Sequence, residues 1–325
     1  MTPLQFEQQY RAEWDELERA LSQLRGVRSK DKKERLSGER IAELYRRACE
    51  HLALARARAY PAHMIERLDL LTADAHQAIY QRREFGLQRL RHLFAVEFPR
   101  AVRTHALYVW ISAAVFVIPT LALGVLVYHR PELVLSVVDS NTAAQFEEMY
   151  SAGAEAFGRR RTADSDWAMF GFYIRNNIGV AFQCFASGLF AGIGSLFFLA
   201  FNGAFGGAIA GYVTARGLSS TFFSFVATHS SFELTAIVLS GAAGLRIGHA
   251  TIAPGRRTRL QALIVAARES IVIIYGVVAM LLIAAGVEAF WSSSTWISNA
   301  VKYSAAAFCW IAVIAYLTLQ GRRAG

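Results

Sequence analysis

Acidic residues are scarce where this chain is most apolar. Between positions 176 and 301 only Glu233, Glu269 and Glu288 carry a carboxylate. Glu233 falls inside a run long enough to cross a bilayer, where a charged side chain costs roughly 2.5–3.5 kcal/mol. A chain that keeps such a group needs it for a partner, a pathway or a site. Cysteine is sparse as well: Cys49, Cys184 and Cys309 are scattered, form no CxxC pair and imply no disulfide framework. The stretch from Met1 to Asp31 is charged throughout and has no apolar core, so it reads as no signal peptide, and insertion is expected to rely on later spans. Catalytic signatures are missing too. There is no HExxH, no Walker A, and Gly192-Ile193-Gly194 lacks the third glycine of GxGxxG. Ser187 and Ser240 each precede a glycine but lack the one two places upstream that a serine-nucleophile motif needs. The expectation is a protein that is not an enzyme and needs no cofactor. The net charge of +9 brings no nucleic-acid motif with it, and much of the basic excess lies beside apolar spans, where topology accounts for it.

What is present divides in two. Residues 1–105 carry 20 Lys/Arg and 15 Asp/Glu and read as a cytoplasmic helical domain. Leu17, Leu21 and Leu24 mark a first helix over 3–25 and a charged connection follows to Gly38. Ile41, Leu44, Ala48, Leu52 and Ala55 mark a second helix, which Pro61 interrupts. A third carries Ile65, Leu68, Leu71, Ala75 and Ile79 and continues through Arg82–Arg103 towards the membrane. Three such amphipathic helices can bury one modest core.

The first span is expected at 106–128, and residues 129–175 form an extracytoplasmic insert with an amphipathic helix over Asn141–Phe157 and interfacial aromatics at Trp167, Phe170, Phe172 and Tyr173. A membrane domain over 176–321 supplies further apolar segments at 178–201, 203–215, 222–248, 270–290 and 300–320. Basic residues at Arg100, Arg103, Arg256, Arg257, Arg259, Arg322 and Arg323 place both termini in the cytoplasm, which requires an even number of crossings, six by this count. The segment 203–215 is short, about 20 Å of helix, and reads either as a tilted span or as half of a re-entrant hairpin. The fold class is thus all-α: a polytopic integral membrane helical bundle with an N-terminal cytoplasmic helical bundle, embedded in membrane lipids.

Small residues recur four apart at Gly203, Gly207 and Gly211, at Ser240, Gly244 and Gly248, and at Gly188 and Gly192. This spacing lets helix backbones approach closely in lipid. It fits tight packing within one bundle, and alternatively a homo-oligomeric seam or a conduit wall. His229 and Glu233 share a helix face, with Ser240 and Gly244 on the same stripe. Together with Asn202 they make the candidate intramembrane polar site. Asn176 and Asn177 are expected at helix ends, as is Asn202, where amides satisfy backbone groups. Arg246 is expected to snorkel, and Glu288 to end the fifth span. For His229 and Glu233 three readings stay open: a structural lock between helices, a solute or proton path, and a metal site. The third is disfavoured because only two ligand candidates are local, so no metal is expected.

At these residues the chain resembles the stage II sporulation protein M family. Arg175-Asn176-Asn177 with the following apolar run to Gly188, then Gly192-Ile193-Gly194 and Asn202-Gly203, are similar to its first membrane signature. His229 through Glu233-Leu234 with Gly241 to Arg246 are similar to the second, and Ala284 to Phe290 to the third. Leu44-Tyr45-Arg46-Arg47 and His76-Gln77-Ala78-Ile79-Tyr80 resemble long-form bacterial members. Ser230, Thr235 and Ala289 depart from the usual glycine, proline and glycine. The resemblance implies a multi-span protein without known catalysis that anchors partners at the membrane. Those partners would be cell-wall enzymes, or a MoxR-type ATPase of the kind often encoded beside long-form relatives. Sporulation itself does not carry over, since such relatives occur in bacteria that make no spores.

Overall fold

Apolar stripes at helical spacing, with few β-formers set in alternation, dictate helices throughout. The computed structural model describes residues 1–24, 36–80, 86–151, 163–294 and 296–322. Among these it has twelve α-helices and no strand. The charged connection at 25–35, the end of the expected Asn141–Phe157 helix beyond 151, and Arg323 lie outside the described residues.

Two compact units divide at Gly86/Leu87. The first is a three-helix bundle of α1 (Pro3–Leu24), α2 (Gly38–Ala57) and α3 (Ala62–Tyr80). Ser37 caps α2 by accepting from the Arg40 amide. Phe6, Trp14, Leu17, Leu44, Leu68 and Ala75 fill the core. Within it the Trp14 indole donates to His51 Nδ1 at 3.1 Å, so the buried imidazole has a partner. Arg40–Glu16, Arg47–Glu13 and Arg67–Asp15 pairs bind α2 and α3 to α1 at the surface.

The expected boundary at 105 moves to 86, because residues 87–104 belong to the second unit. There α4 (Leu87–His92), a π turn (Leu93–Glu97) and α5 (Phe98–Thr104) precede α6 (Ala106–His129). Phe98 is buried, a Cβ added at Gly276 would meet its ring, and Arg103 donates to the Leu317 carbonyl at 2.9 Å. The arginines that made this stretch look soluble lie at the end of an apolar bundle.

After α6 come α7 (Ser140–Tyr150), α8 (Ala163–Ala186), α9 (Ile193–Ala215), α10 (Ser219–Ile252), α11 (Arg259–Gly286), a π turn (Val287–Ser292) and α12 (Asn299–Leu319). By length and composition, α6, α9, α10, α11 with its π turn, and α12 can each cross a membrane. Large apolar side chains such as Trp110, Ile118, Phe308 and Ile311 stand exposed on α6 and α12, as lipid-facing residues must.

The helix α8 is 24 residues long, but its first thirteen residues include Asp164, Asp166 and Arg175. It nevertheless runs the length of the bundle. Trp167 and Phe170 pack on Phe290 near its start, and just past its end a Cβ at Gly188 would touch the Gly244 carbonyl. Among the described residues, α8 therefore packs alongside the five membrane-length helices, from an end marked by Tyr150 to an end marked by Glu269.

Two expected segments change. The spans at 178–201 and 203–215 are instead α8 and α9, parted by a tight connection at 187–192. Gly192 takes φ +82° there, which glycine adopts without strain, and Ser195 Oγ closes the turn onto the Cys184 carbonyl at 2.6 Å. Segment 203–215 is thus neither short nor re-entrant. It is the second half of a 23-residue helix that continues through Asn202 and Gly203.

The same glycines set the packing. A Cβ at Gly203, Gly207 or Gly211 would lie 2.2, 2.1 or 2.3 Å from the carbonyl oxygen of Phe116, Thr120 or Gly124. The matching order of these pairs makes α6 and α9 parallel neighbours in backbone contact. Gly244 and Gly248 of α10 receive the 187–192 connection in the same way.

Candidate intramembrane polar site

The site forms where α10 meets the π turn that ends α11. On α10, His229 and Glu233 are one turn apart on the same face, with His229 Nε2 3.7 Å from Glu233 Oε2. His229 is 3% exposed, and Phe225 packs edge-on against its ring. A π turn carries more residues per revolution than an α-helix and often marks a functional site. Here it brings both Glu288 and Ser292 round to α10. Ser292 Oγ lies 3.0 Å from His229 Nδ1. Ligand atoms of His229, Glu233 and Glu288 all fall within 4.8 Å of one another.

Two further elements complete the surroundings. Lys302 at the start of α12 is buried, and its ammonium donates to the Ser292 carbonyl at 2.8 Å. Thr228 Oγ1 donates to the Lys302 carbonyl at 3.2 Å. From α7, buried Tyr150 packs edge-on against Phe222. Its phenol is pushed above the ordinary value, mainly by burial, with Glu288, Tyr173 and Glu233 adding through their charges. A cavity of about 220 Å³ lies beside the cluster, lined by Tyr150, Ser224, Ser292, Asn299 and Lys302 among others.

The structure unites His229 and Glu233 and leaves the other two expected members apart. Ser240 is fully buried but seven residues along α10, about 10 Å from Glu233. Asn202 donates to the Phe198 carbonyl of its own helix at 2.7 Å. Asn176, Asn177 and Asn202 are all mid-helix rather than at helix ends, because α8 begins fifteen residues before the expected span at 178 and α9 does not break at 202. Asn176 is exposed and donates to the Asn177 side chain, while Asn177 is buried. Arg246 has a partner rather than reaching freely to the interface: it pairs with Glu269 of α11 at 2.6 Å, at the opposite end from the cluster. Glu288, expected only to end a span, is central. Ser292, Tyr150 and Lys302 were not singled out by sequence at all.

Chemically, one imidazole and two carboxylates in an apolar interior can lock helices together, relay a proton or hold a cation. The objection that only two metal-competent groups are local no longer applies, since Glu288 is the third. A family model described as Stage II sporulation protein M matches residues 112–293, more than half of the chain and the whole of this cluster. A second, described as Domain of unknown function (DUF8413), matches residues 4–81, within the helical unit that precedes it. No curated protein and no solved structure matches the chain.

Proposed function

Because the chain belongs to the stage II sporulation protein M family, we propose that this membrane protein is a non-enzymatic scaffold that assembles partner proteins at the bacterial cytoplasmic membrane. The observation that carries the reading is how the bundle is closed. Backbone-to-backbone contacts at Gly203, Gly207, Gly211, Gly244 and Gly248 fill the space that a conduit would need. The separate helical unit at 1–86 and the α7 layer each offer a docking surface. Basic residues Arg100, Arg103, Arg256, Arg257, Arg259 and Arg322 gather at the Glu269 end of the chain path. This favours placing that end, and both termini with it, in the cytoplasm.

The test is affinity purification of the tagged full chain from gently solubilised membranes, followed by mass identification. A stoichiometric cell-wall enzyme or a MoxR-type ATPase is the expected result. Recovery of the chain alone, at expression levels that keep it folded, overturns the scaffold.

A second reading, a transporter that uses His229 and Glu233, is favoured by the cavity at the Tyr150 end, one of whose lining residues, Ser292, is the hydrogen-bond partner of His229. It requires pH-dependent flux that Glu233→Gln abolishes while the fold survives. Unchanged flux in that variant removes it.

A further inference from the structure

We propose that His229, Glu233 and Glu288 form a binding site for a divalent transition-metal ion of the zinc type, which pins α10 to the π turn at 287–292. Three lines of geometry meet here.

The first is spacing. Three ligand atoms each about 2.1 Å from one tetrahedral ion lie roughly 3.4 Å from one another. The His229–Glu233 pair is at 3.7 Å and the full set is within 4.8 Å, so small side-chain rotations close the site without moving backbone.

The second is the outer contact. A metal-binding histidine characteristically donates its other ring N–H to a fixed acceptor. Ser292 Oγ stands 3.0 Å from Nδ1 of His229. With Nδ1–H donated there, Nε2 presents its lone pair to the side where Glu233 lies. Ser292 is itself held, since its carbonyl accepts from the Lys302 ammonium.

The third is charge and access. Two carboxylates brought together in a buried site are relieved by a shared proton or by a cation, and a cation can take both as ligands at once. The nitrogen-and-oxygen donor set suits zinc or a neighbouring first-row ion better than soft-metal thiolate sites. Three protein ligands leave a fourth position for water or another group, and the 220 Å³ cavity is lined by Ser292, the residue that partners His229.

The experiment uses the full-length chain, purified in mild detergent from cells grown with added zinc. Metal content is measured by mass spectrometry. The ion is then stripped with a chelator and Zn²⁺ alone is titrated back while the thermal midpoint is followed. The expected result is about one ion per chain, a midpoint that rises on addition of zinc, and an absorption edge showing nitrogen and oxygen neighbours. Glu288→Gln should weaken binding about tenfold or more, whereas Glu269→Gln, at the other end of the bundle, should bind as the parent does. If Glu288→Gln fails to fold, the titration of the unaltered chain still decides. A monodisperse parent chain that carries no metal and gains nothing from zinc overturns the proposal. So does zinc bound through sulfur, or equal loss in both variants. The result is independent of the scaffold: a chain that binds zinc but recovers no partner leaves the site standing.

Discussion

Adjacent glycines on α9 give a sharp test of the packing. Gly207 faces α6, where an added Cβ would sit 2.1 Å from the Thr120 carbonyl oxygen and 2.8 Å from its Cα. Both are backbone atoms, so no rotamer change relieves the clash. Reaching the 3.4 Å of ordinary contact means separating the two helices locally by about 1.3 Å, and a gap of that size forfeits a quarter to a half or more of the dispersion between the atoms it parts. Gly206, one residue earlier, is exposed and has nothing within 4 Å of its would-be Cβ. Alanine at either position gains up to about 1 kcal/mol of helix propensity. Only at 207 does it also incur an overpacking cost of about 1–3 kcal/mol, and more where the backbone cannot shift. Gly207→Ala should therefore lower stability by about 1–2 kcal/mol net, while Gly206→Ala leaves it unchanged or slightly raised. The assay is the thermal midpoint of the detergent-solubilised chain, read by loss of the monodisperse peak on size exclusion. Equal midpoints for the two variants would refute the α6–α9 contact.

Three other outcomes follow from separate parts of the molecule. Gly276→Ala drives a Cβ into the Phe98 ring at 2.0 Å, so a Gly276→Ala/Phe98→Ala double variant should lose less stability than the two single losses added together; strict additivity would detach residues 87–104 from the bundle. Burial lowers the affinity of His51 for its proton below the ordinary value of 6.5, with Glu13 opposing. The unfolded first unit therefore binds more protons than the folded one just below that pH, so its stability is complete above about pH 6.5 and falls as the solution is acidified. Proteolysis within residues 1–86 of the full chain should accelerate between pH 7 and 5.5, and His51→Gln should flatten that dependence; an identical slope in the variant counts against it. Single cysteines introduced as Arg256→Cys and Asn141→Cys should be labelled by an impermeant thiol reagent from opposite faces of the membrane, with Asn141→Cys accessible from outside intact cells; labelling of both from one face would contradict the orientation.

The pairing of His229 with Glu233 was legible because helical spacing is a local rule, and one turn of α10 decides it. Glu288 was not, because its direction depends on a π turn whose extra residue per revolution no apolar pattern announces. The break between α8 and α9 was misplaced for a related reason. The run Asn202-Gly203 with Gly206 and Gly207 looks like a chain reversal by soluble rules. In lipid those glycines mark where another backbone comes close. The true reversal at 187–192 shows fewer glycines and depends on the left-handed conformation of Gly192. The start of α8 was hidden by Asp164, Asp166 and Arg175, which made half of a traversing helix read as part of an insert. All-α architecture and the membrane character needed nothing beyond composition and periodicity, and the structure and family match bear both out.

The parallel pairing of α6 with α9 also fixes an order of events during synthesis. Helix α6 leaves the ribosome first, and the 86 residues from Arg130 to Ala215 must follow before its main neighbour is complete. At roughly 5–20 residues per second that is about 4–17 s. Throughout that interval Gly124 and the carbonyls of Phe116 and Thr120 face whatever else shares the bilayer or the insertion machinery. The intervening α8 is too polar along its first half to be held by lipid alone, so it settles only as α9 and α10 arrive to cover it. The nascent chain thus passes through a stage in which α6 waits unmatched and α8 is uncommitted; the first is resolved when α9 is complete and the second once α10 joins it.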